Sequence, residues 1–176
     1  MSLEKKSMEE LQRLSVEAFH STQKLPLIVV LDQVRSALNV GSIFRSSDAF
    51  NVEAIYLCGY TPCPPQREIL KSALGSTESV KWMHFNTVEE ALKAVPTSHE
   101  IWALEQTHNS VALQTFQPQS GIALILGNEI DGVSDEALQL CKGSLEIEQF
   151  GTKHSLNVSV SAGIALFHIS QALTLR

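Results

Sequence analysis

Residues 27–57, LIVVLDQVRSALNVGSIFRSSDAFNVEAIYL, decide the fold class. The apolar runs Leu27 to Leu31 and Val52 to Leu57 predict two buried strands. Asn39 lies between them at a position typical of a helix N-cap. It precedes four apolar residues that share one helical face, namely Val40, Ile43, Phe44 and Phe50. A strand, a helix and a second strand in this order predict a parallel strand pair.

The alternation of strand and helix patterns continues to the C-terminus. Apolar runs predict further strands at residues 80–85, 101–104, 122–126 and 145–147. Capping signals and apolar periodicity predict helices at residues 66–74, 87–95, 135–140 and 158–173. The predicted fold class is therefore α/β, with a mostly parallel sheet that helices cover on both faces. Ligands of such sheets normally bind beyond the carboxyl ends of the strands.

The chain is predicted to contain one main domain and a short extension. Its 176 residues are enough for a single hydrophobic core, which we assign to residues 25–176. Residues 1–24 are predicted to form an N-terminal helical extension, because their apolar residues recur at near-helical spacing. These residues are Leu3, Met8, Leu11, Leu14 and Phe19.

Composition excludes several classes of protein. The apolar runs are far shorter than the roughly 20 residues that span a bilayer. Residues 1–10 lack the apolar segment of a secretory signal, so no membrane association and a cytoplasmic location are expected. The three cysteines are widely separated and the six histidines show no ligand spacing, so we expect neither a disulfide framework nor a metal site.

The charge distribution leaves a nucleic-acid partner open. The formal net charge of -6 disfavours a polyanionic partner, since binding to phosphates usually needs a basic surplus. Residues 76–150 carry 3 basic and 11 acidic side chains, whereas the rest of the chain carries 10 basic and 8 acidic ones. A neutral to positive surface can therefore form from the remainder, with Arg35, Arg45, Arg67, Lys71 and Lys153 as candidates.

Arg45 lies in the otherwise apolar helix predicted to begin at Asn39. A guanidinium in such a segment either pairs with a nearby carboxylate or faces a cleft, where it binds phosphate or carboxylate. In the first case it forms a structural ion pair with Asp48 or Glu53. In the second case it takes part in ligand binding, and the residues alone leave both alternatives open.

The loop after the predicted strand 122–126 carries Gly127, Asn128, Glu129 and Gly132. Two glycines allow a tight turn and a close approach of a ligand to the backbone. The chain contains neither G-x-G-x-x-G nor the P-loop pattern G-x-x-x-x-G-K followed by Ser or Thr. A dinucleotide dehydrogenase and a P-loop nucleotidase are therefore disfavoured, and the loop remains either a simple turn or a ligand site of another kind.

Small polar side chains are concentrated at residues 155–159, immediately before the last predicted helix. Ser155 or Asn157 is a suitable N-cap for that helix. His154 precedes them and is equally consistent with a solvated loop residue and with an acid or base.

These three segments, in this order, resemble the three motifs of the SpoU (TrmH-like) family of RNA ribose 2′-O-methyltransferases, which belongs to the SPOUT superfamily. The first motif is matched by Asn39, Gly41 and Arg45, the second by residues 126–133, and the third by residues 155–159. Together with the intervening strands, the resemblance covers about residues 25–173.

The resemblance implies an α/β domain with a C-terminal deep trefoil knot, whose loops bind S-adenosylmethionine and release S-adenosylhomocysteine. It also implies a homodimer, in which Arg45 of one subunit lies near the cofactor of the other. The cofactor-binding residues implied in this way are Leu104, Glu105, Leu126, Gly127, Asn128, Gly132, Ile147, Ser155 and Leu156.

The implied catalytic residues are Arg45, Asn39, Glu129, Ser155 and Asn157. The family proposal makes the arginine a general base, but a guanidinium is almost never deprotonated in a protein. We therefore favour a role for Arg45 in binding the adjacent phosphate and stabilising charge on the 2′-oxygen. The other four residues are expected to position Arg45, the ribose and the cofactor loop.

The expected activity is methylation of a ribose 2′-hydroxyl in RNA. We expect tRNA as the substrate, at a D-arm guanosine or the anticodon wobble nucleotide, because the N-terminal extension is short. The alternatives are an rRNA 2′-O-methyltransferase, a non-catalytic RNA- or nucleotide-binding module of the same fold, and a nucleotide-binding enzyme of another reaction class.

Overall fold

The structure, a computed structural model, describes residues 3–7 and 9–174. Its strands are β1 (Leu25–Asp32), β2 (Val52–Cys58), β3 (Trp82–Phe85), β4 (His99–Leu104), β5 (Val111–Ala112), β6 (Gly121–Leu126) and β7 (Gly143–Glu146). Its helices are α1 (Val16–His20), α2 (Ala37–Ala49), α3 (Arg67–Ala73), α4 (Ser76–Ser79), α5 (Val88–Lys93), α6 (Asp135–Leu138) and α7 (Val158–Thr174).

The strands form one parallel sheet in the order β3-β2-β1-β6-β4-β7-β5. Strand β1 is apolar on both faces because helices cover both. Its residues Leu27, Val29 and Leu31 belong to the core shared with α2, α3 and α7. Ile28 and Val30 belong to the second core, shared with α5 and α6. The predicted fold class, an α/β protein with a mostly parallel sheet, is confirmed.

The strand order separates the carboxyl edge of the sheet into two regions. Strands β6, β4 and β7 are neighbours, so the loops that follow them lie together. The loops that follow β1 and β2 lie together on the other side of β6. The trefoil knot that the resemblance implies stays a prediction. Among the described residues, no helix combines the length and apolar character needed to cross a membrane.

The N-terminal extension is much less helical than predicted. Helix α1 covers only five residues, and none of them is buried. Leu3, Leu11 and Leu14 are exposed, and Met8 lies outside the described residues. Short amphipathic helices depend on burial of their apolar face, and the side chains of Leu3, Leu11 and Leu14 reach no core. The division into residues 1–24 and 25–176 stays a prediction.

The prediction that Asn39 is the N-cap of α2 is wrong. Helix α2 begins earlier, and the Ser36 hydroxyl accepts a hydrogen bond from the Asn39 N–H at 3.4 Å. Both residues have side chains typical of an N-cap, but Ala37 and Leu38 between them favour helix. Asn39 consequently lies in the first turn of α2, with its side chain free to bond elsewhere.

Helices α2 and α3 approach each other closely at Gly41. A Cβ at this position would lie 2.3 Å from the Ile69 carbonyl oxygen and 2.1 Å from the Ser72 Oγ. Gly41→Ala is therefore expected to lower the free energy of unfolding by about 1–3 kcal/mol, measured by urea unfolding. Gly163→Ala in α7 is the matched control, since its nearest atom would be 3.9 Å away. A Gly41→Ala protein as stable as the wild type would contradict this packing.

Candidate functional site

A cavity of about 480 Å³ opens at the carboxyl ends of β4, β6 and β7. Its walls come from the loops that follow these three strands, at residues 105–107, 127–133, 135, 147, 149 and 154–156, together with the start of α7. All nine residues expected to bind the cofactor line it: Leu104, Glu105, Leu126, Gly127, Asn128, Gly132, Ile147, Ser155 and Leu156. Their role in binding stays a prediction.

The loop after β6 is held in a tight conformation by its own hydrogen bonds. The Asn128 Oδ1 accepts hydrogen bonds from the N–H groups of Ile130 and Asp131, at 2.8 and 3.1 Å. Asn128 and Gly132 also exchange two backbone hydrogen bonds. Gly132 has a φ of +73°, a left-handed conformation that favours glycine.

Two carboxylates attach the end of this loop to neighbouring strands. The Val133 N–H donates to Glu105 Oε2 at 3.0 Å, and the Ser134 N–H donates to Asp32 Oδ2 at 2.9 Å. As a result, every backbone N–H of residues 130–134 donates within the protein. These N–H groups are therefore not available to cradle a phosphate, in agreement with the lack of a phosphate-loop sequence.

Glu129 connects the β6 loop to the start of α2. Its carboxylate accepts hydrogen bonds from the Arg35 N–H at 2.9 Å, the Ser36 N–H at 3.0 Å and the Asn39 Nδ2 at 2.8 Å. Partial burial raises the pKa of Glu129, but the hydrogen bonds from Arg35, Asn39 and Ser36 outweigh burial and leave the pKa below its ordinary value. The carboxylate is consequently ionised at neutral pH.

Asn157 joins the third predicted segment to the first. Its Nδ2 donates to the Asn39 Oδ1 at 3.1 Å. Its Oδ1 accepts hydrogen bonds from the N–H groups of Ser159 and Val160, as an N-cap of α7 does. The interpretation of Asn157 as a helix cap is therefore correct, and Asn157 also continues a chain of contacts that runs through Asn39 to Glu129.

Two of the five expected catalytic residues, Glu129 and Ser155, line the cavity. Asn39 is bonded to Glu129, and Asn157 is bonded to Asn39. Arg45 is not part of this arrangement. It lies on the exposed side of α2, in the row Leu38, Ser42, Arg45 and Ala49.

The two ion pairs suggested for Arg45 do not form. Asp48 accepts a hydrogen bond from the Ser79 hydroxyl, and Glu53 lies 3.1 Å from His99 Nε2. Within residues 3–7 and 9–174, the Arg45 guanidinium makes no salt bridge and no side-chain hydrogen bond. Its charge is therefore not neutralised by any of the described residues.

The exposed surface near Arg45 is apolar. Helices α2 and α7 run side by side, with Phe50 and Phe167 in edge-to-face contact at 6.1 Å between ring centroids. Their outer rows expose Leu38, Val160, Ile164 and Phe167, which we call the α2–α7 apolar face.

The cavity also has residues that sequence reasoning missed. Thr107 bonds to the Ser144 hydroxyl at 2.6 Å, and Glu146 accepts a hydrogen bond from the Ser110 hydroxyl. Thr107 and Glu146 line the cavity, one shortly after β4 and the other at the end of β7. Their positions beside predicted strand ends were the only signal in the sequence. The Gln106 side chain adds a bond to the His154 carbonyl at 2.8 Å, which holds the loop after β7.

The charge of the cavity is predominantly negative. Five acidic residues line it, namely Glu105, Glu129, Asp131, Asp135 and Glu146. Of the described lining residues, none is lysine or arginine. Such a lining favours a ligand with positive charge and disfavours polyphosphates.

Glu129→Gln is expected to lower the free energy of unfolding by about 1 kcal/mol. The amide would place its own N–H group against N–H groups that now donate to the carboxylate. The effect is small because Glu129 is partly exposed.

A folded-state pKa below 4.5 means that the stabilisation by the Glu129 carboxylate is present above pH 4.5 and is lost as the pH falls through the lower value. Urea unfolding against pH measures this difference. Glu4→Gln, at an exposed carboxylate without a hydrogen bond in the described structure, is the control, and equal effects of the two variants would contradict the assigned network.

The chain is similar to known RNA-modifying proteins. The SpoU rRNA Methylase family model matches residues 26–167. A 23S rRNA (guanosine-2'-O-)-methyltransferase RlmB from Pasteurella multocida (strain Pm70) is 28% identical over 162 residues, which make up 92% of this chain and 66% of that protein. The chain therefore spans slightly less than two thirds of this relative.

Two solved structures share the fold. The A. aeolicus TrmH/SpoU tRNA modifying enzyme has a TM-score of 0.78 and 25% identity, over 89% of this chain and 80% of that one. The AdoMet-bound rRNA methyltransferase from Sinorhizobium meliloti has a TM-score of 0.76 and 27% identity, over 88% and 60%. The family match covers most of the chain and includes all three motif segments, so the protein belongs to the SpoU rRNA Methylase family.

Proposed function

We propose that the protein is an S-adenosylmethionine-dependent methyltransferase that acts on a ribose 2′-hydroxyl in RNA. The observation that carries this proposal is the acidic cavity at the carboxyl ends of β4, β6 and β7, which has no lysine or arginine among its described lining residues. Membership of the SpoU family and the RNA methyltransferase names of its relatives support the same reaction.

The cavity fits the proposed cofactor in charge and size. S-adenosylmethionine supplies an electrophilic methyl group on a positively charged sulfonium. Five acidic residues around the cavity favour a cation, and its volume of about 480 Å³ is within the range of small-molecule sites. The β6 loop and residues 147, 149 and 154–156 would hold the adenosine part mainly through backbone carbonyls and apolar side chains, since the N–H groups of the β6 loop are largely engaged.

Arg45 is the proposed catalytic residue for the RNA. A ribose 2′-hydroxyl is a weak acid, so its attack needs orientation and stabilisation of the charge on oxygen. An exposed guanidinium that makes no salt bridge in the described part of the chain is suited to bind the adjacent phosphate through bidentate hydrogen bonds and to stabilise that charge. The contacts from Glu129 through Asn39 to Asn157 would set the position of α2, which carries Arg45.

We propose that the active protein is a homodimer in which the α2–α7 apolar face is the interface. This face places Arg45 beside Leu38 on the same exposed row. Burial of Leu38, Val160, Ile164 and Phe167 against a second copy would remove apolar surface from water. Arg45 does not line the cavity of its own chain. In the dimer, it would instead approach the cavity of the partner subunit.

We propose that the substrate is an rRNA, with tRNA as the second candidate. One solved relative is named as a tRNA modifying enzyme. The curated relative at 28% identity is named for a guanosine of 23S rRNA, and a second solved relative is named as an rRNA methyltransferase. The cytoplasmic location expected from the sequence is compatible with both RNAs and stays a prediction.

The test is transfer of a tritiated methyl group from S-adenosylmethionine to unmodified 23S rRNA and, separately, to unmodified tRNA. A 2′-O-methyl group blocks alkaline cleavage, so the expected label appears in alkali-resistant dinucleotides, with more label in rRNA. Label in alkali-labile mononucleotides would contradict ribose methylation. Binding of S-adenosylhomocysteine without transfer to either RNA would instead indicate a non-catalytic module.

A further inference from the structure

Tyr60 presents an exposed aromatic ring next to the candidate site. The residue is 56% exposed and follows β2 at the carboxyl edge of the sheet. Its hydroxyl accepts a hydrogen bond from the Asn128 Nδ2 at 2.8 Å. Asn128 is 7% exposed and lines the cavity, so one end of the tyrosine is fixed to the β6 loop while the ring faces solvent.

The backbone that carries Tyr60 is rigid. The buried Thr61 hydroxyl donates to the carbonyl oxygens at the ends of β1 and β2, on Leu31 and Cys58, as alternative acceptors at 3.1 and 2.7 Å. It also accepts a hydrogen bond from the Val34 N–H at 3.1 Å. Tyr60 is therefore held at its hydroxyl and at the adjacent residue, and little conformational freedom remains to be lost when a ligand binds.

The ring of Tyr60 has no aromatic partner within the described residues, where ring contacts join Phe50 with Phe167, Tyr56 with Phe85, and Trp102 with Phe116. A large aromatic side chain that is ordered but left half uncovered is a ready surface for stacking.

Arg35 belongs to a segment that is joined to the one carrying Tyr60. It comes directly after Val34, whose N–H bonds to the hydroxyl of Thr61, the residue after Tyr60. Its guanidinium is exposed and makes no salt bridge within residues 3–7 and 9–174. An exposed aromatic ring and an exposed cation on two joined segments suit a single-stranded nucleic acid, because the ring can stack on a base while the cation binds a phosphate.

We propose that Tyr60 is a stacking platform for a nucleobase of the RNA substrate, next to the nucleotide whose ribose enters the site. This inference rests on the proposed function. It assigns the region after β1 and β2 to the RNA and the region after β6, β4 and β7 to the cofactor. The RNA would then be single-stranded or unpaired at this position, since a base within a duplex cannot stack on a protein ring.

The test is the affinity for a short fluorescein-labelled single-stranded RNA of mixed sequence, measured by fluorescence anisotropy with S-adenosylhomocysteine present. Tyr60→Ala is expected to weaken binding roughly 5- to 150-fold, as the loss of one base stack does. Tyr60→Phe keeps the ring and loses only the hydroxyl, so its affinity should remain close to that of the wild type. The affinity for S-adenosylhomocysteine should be the same in all three proteins.

The salt dependence separates the two contacts. Tyr60→Ala should leave the slope of log affinity against log salt unchanged, because stacking releases no counterions. Arg35→Ala should reduce that slope by about one, as removal of one phosphate contact does.

Three results would overturn the proposal and leave the methyltransferase assignment standing. The first is wild-type RNA affinity for Tyr60→Ala. The second is equal loss in Tyr60→Phe and Tyr60→Ala, which would indicate that the bond to Asn128 is what matters. The third is loss of the dimer in Tyr60→Ala on size-exclusion chromatography with light scattering, which would assign the ring to a protein interface. A wild-type protein that binds no RNA would instead contradict both proposals.

Discussion

Arg45→Ala is expected to lower kcat for methyl transfer by about 100-fold or more and to leave the Kd of S-adenosylhomocysteine unchanged. The magnitude is that of removing one group that stabilises developing negative charge in an active site. Binding should be retained because Arg45 does not line the cavity. Folding should also be retained, since the side chain is exposed and makes no salt bridge within the described residues. Single-turnover transfer and calorimetric titration measure the two quantities.

Arg45→Lys is the matched control for charge. Lysine keeps the positive charge but lacks the planar fork, so partial activity is expected if the residue binds phosphate and stabilises charge. Wild-type transfer by Arg45→Ala would remove Arg45 from the catalytic role. A parallel loss of cofactor affinity would indicate a structural role instead.

Gly127→Ala is expected to abolish most cofactor binding. A Cβ on Gly127 would lie 2.1 Å from the Gly132 carbonyl carbon and 2.2 Å from the Val133 nitrogen. These are backbone atoms of a loop whose N–H groups are already bonded, so the loop itself must move. The displacement should weaken S-adenosylhomocysteine binding about tenfold or more and lower transfer further, because a shift of the reacting groups adds to the loss.

Gly151→Ala is the matched control for Gly127→Ala. Gly151 lies in the loop after β7, but a Cβ there would meet no atom within 4 Å. Cofactor affinity should therefore be unchanged, as judged by the same calorimetric titration. Equal losses in the two variants would show that binding does not depend on the conformation of the β6 loop.

Mixing the two inactive variants tests the proposed dimer. A mixed dimer of Arg45→Ala and Gly127→Ala has one intact cavity facing one intact Arg45 from the other subunit. Part of the activity should return after the variants are mixed and allowed to exchange subunits. If each subunit used its own Arg45, no complete site would form and no activity would return.

The sheet could be predicted from the sequence because its strands are locally distinctive. Residues 27–31 and 122–126 are apolar throughout, as strands buried on both faces must be. The two-residue strand β5 was not predicted, because Val111 and Ala112 are too short a run to show periodicity. The order of the strands was not predicted either, since it depends on contacts between distant segments.

The residues that line the cavity were identified through the resemblance to the SpoU motifs, and their position agrees with the preference of ligands for the carboxyl ends of parallel strands. The hydrogen bonds around Glu129 could not be predicted. They come from the backbone of Arg35 and Ser36 and from the Asn39 amide. These donors lie 94, 93 and 90 positions away from Glu129 in the sequence. Backbone donors leave no mark in residue types. The mistaken cap at Asn39 has the same origin, because Ser36 and Asn39 are both good caps and only the observed bond distinguishes them.

A crystal structure of the wild-type protein with S-adenosylhomocysteine would locate the cofactor site. Density for the nucleoside is expected in the cavity at the carboxyl ends of β4, β6 and β7, in contact with the β6 loop and with residues 147, 149 and 154–156. Ordered density at any other place on the protein, with this cavity filled only by solvent, would contradict this expectation.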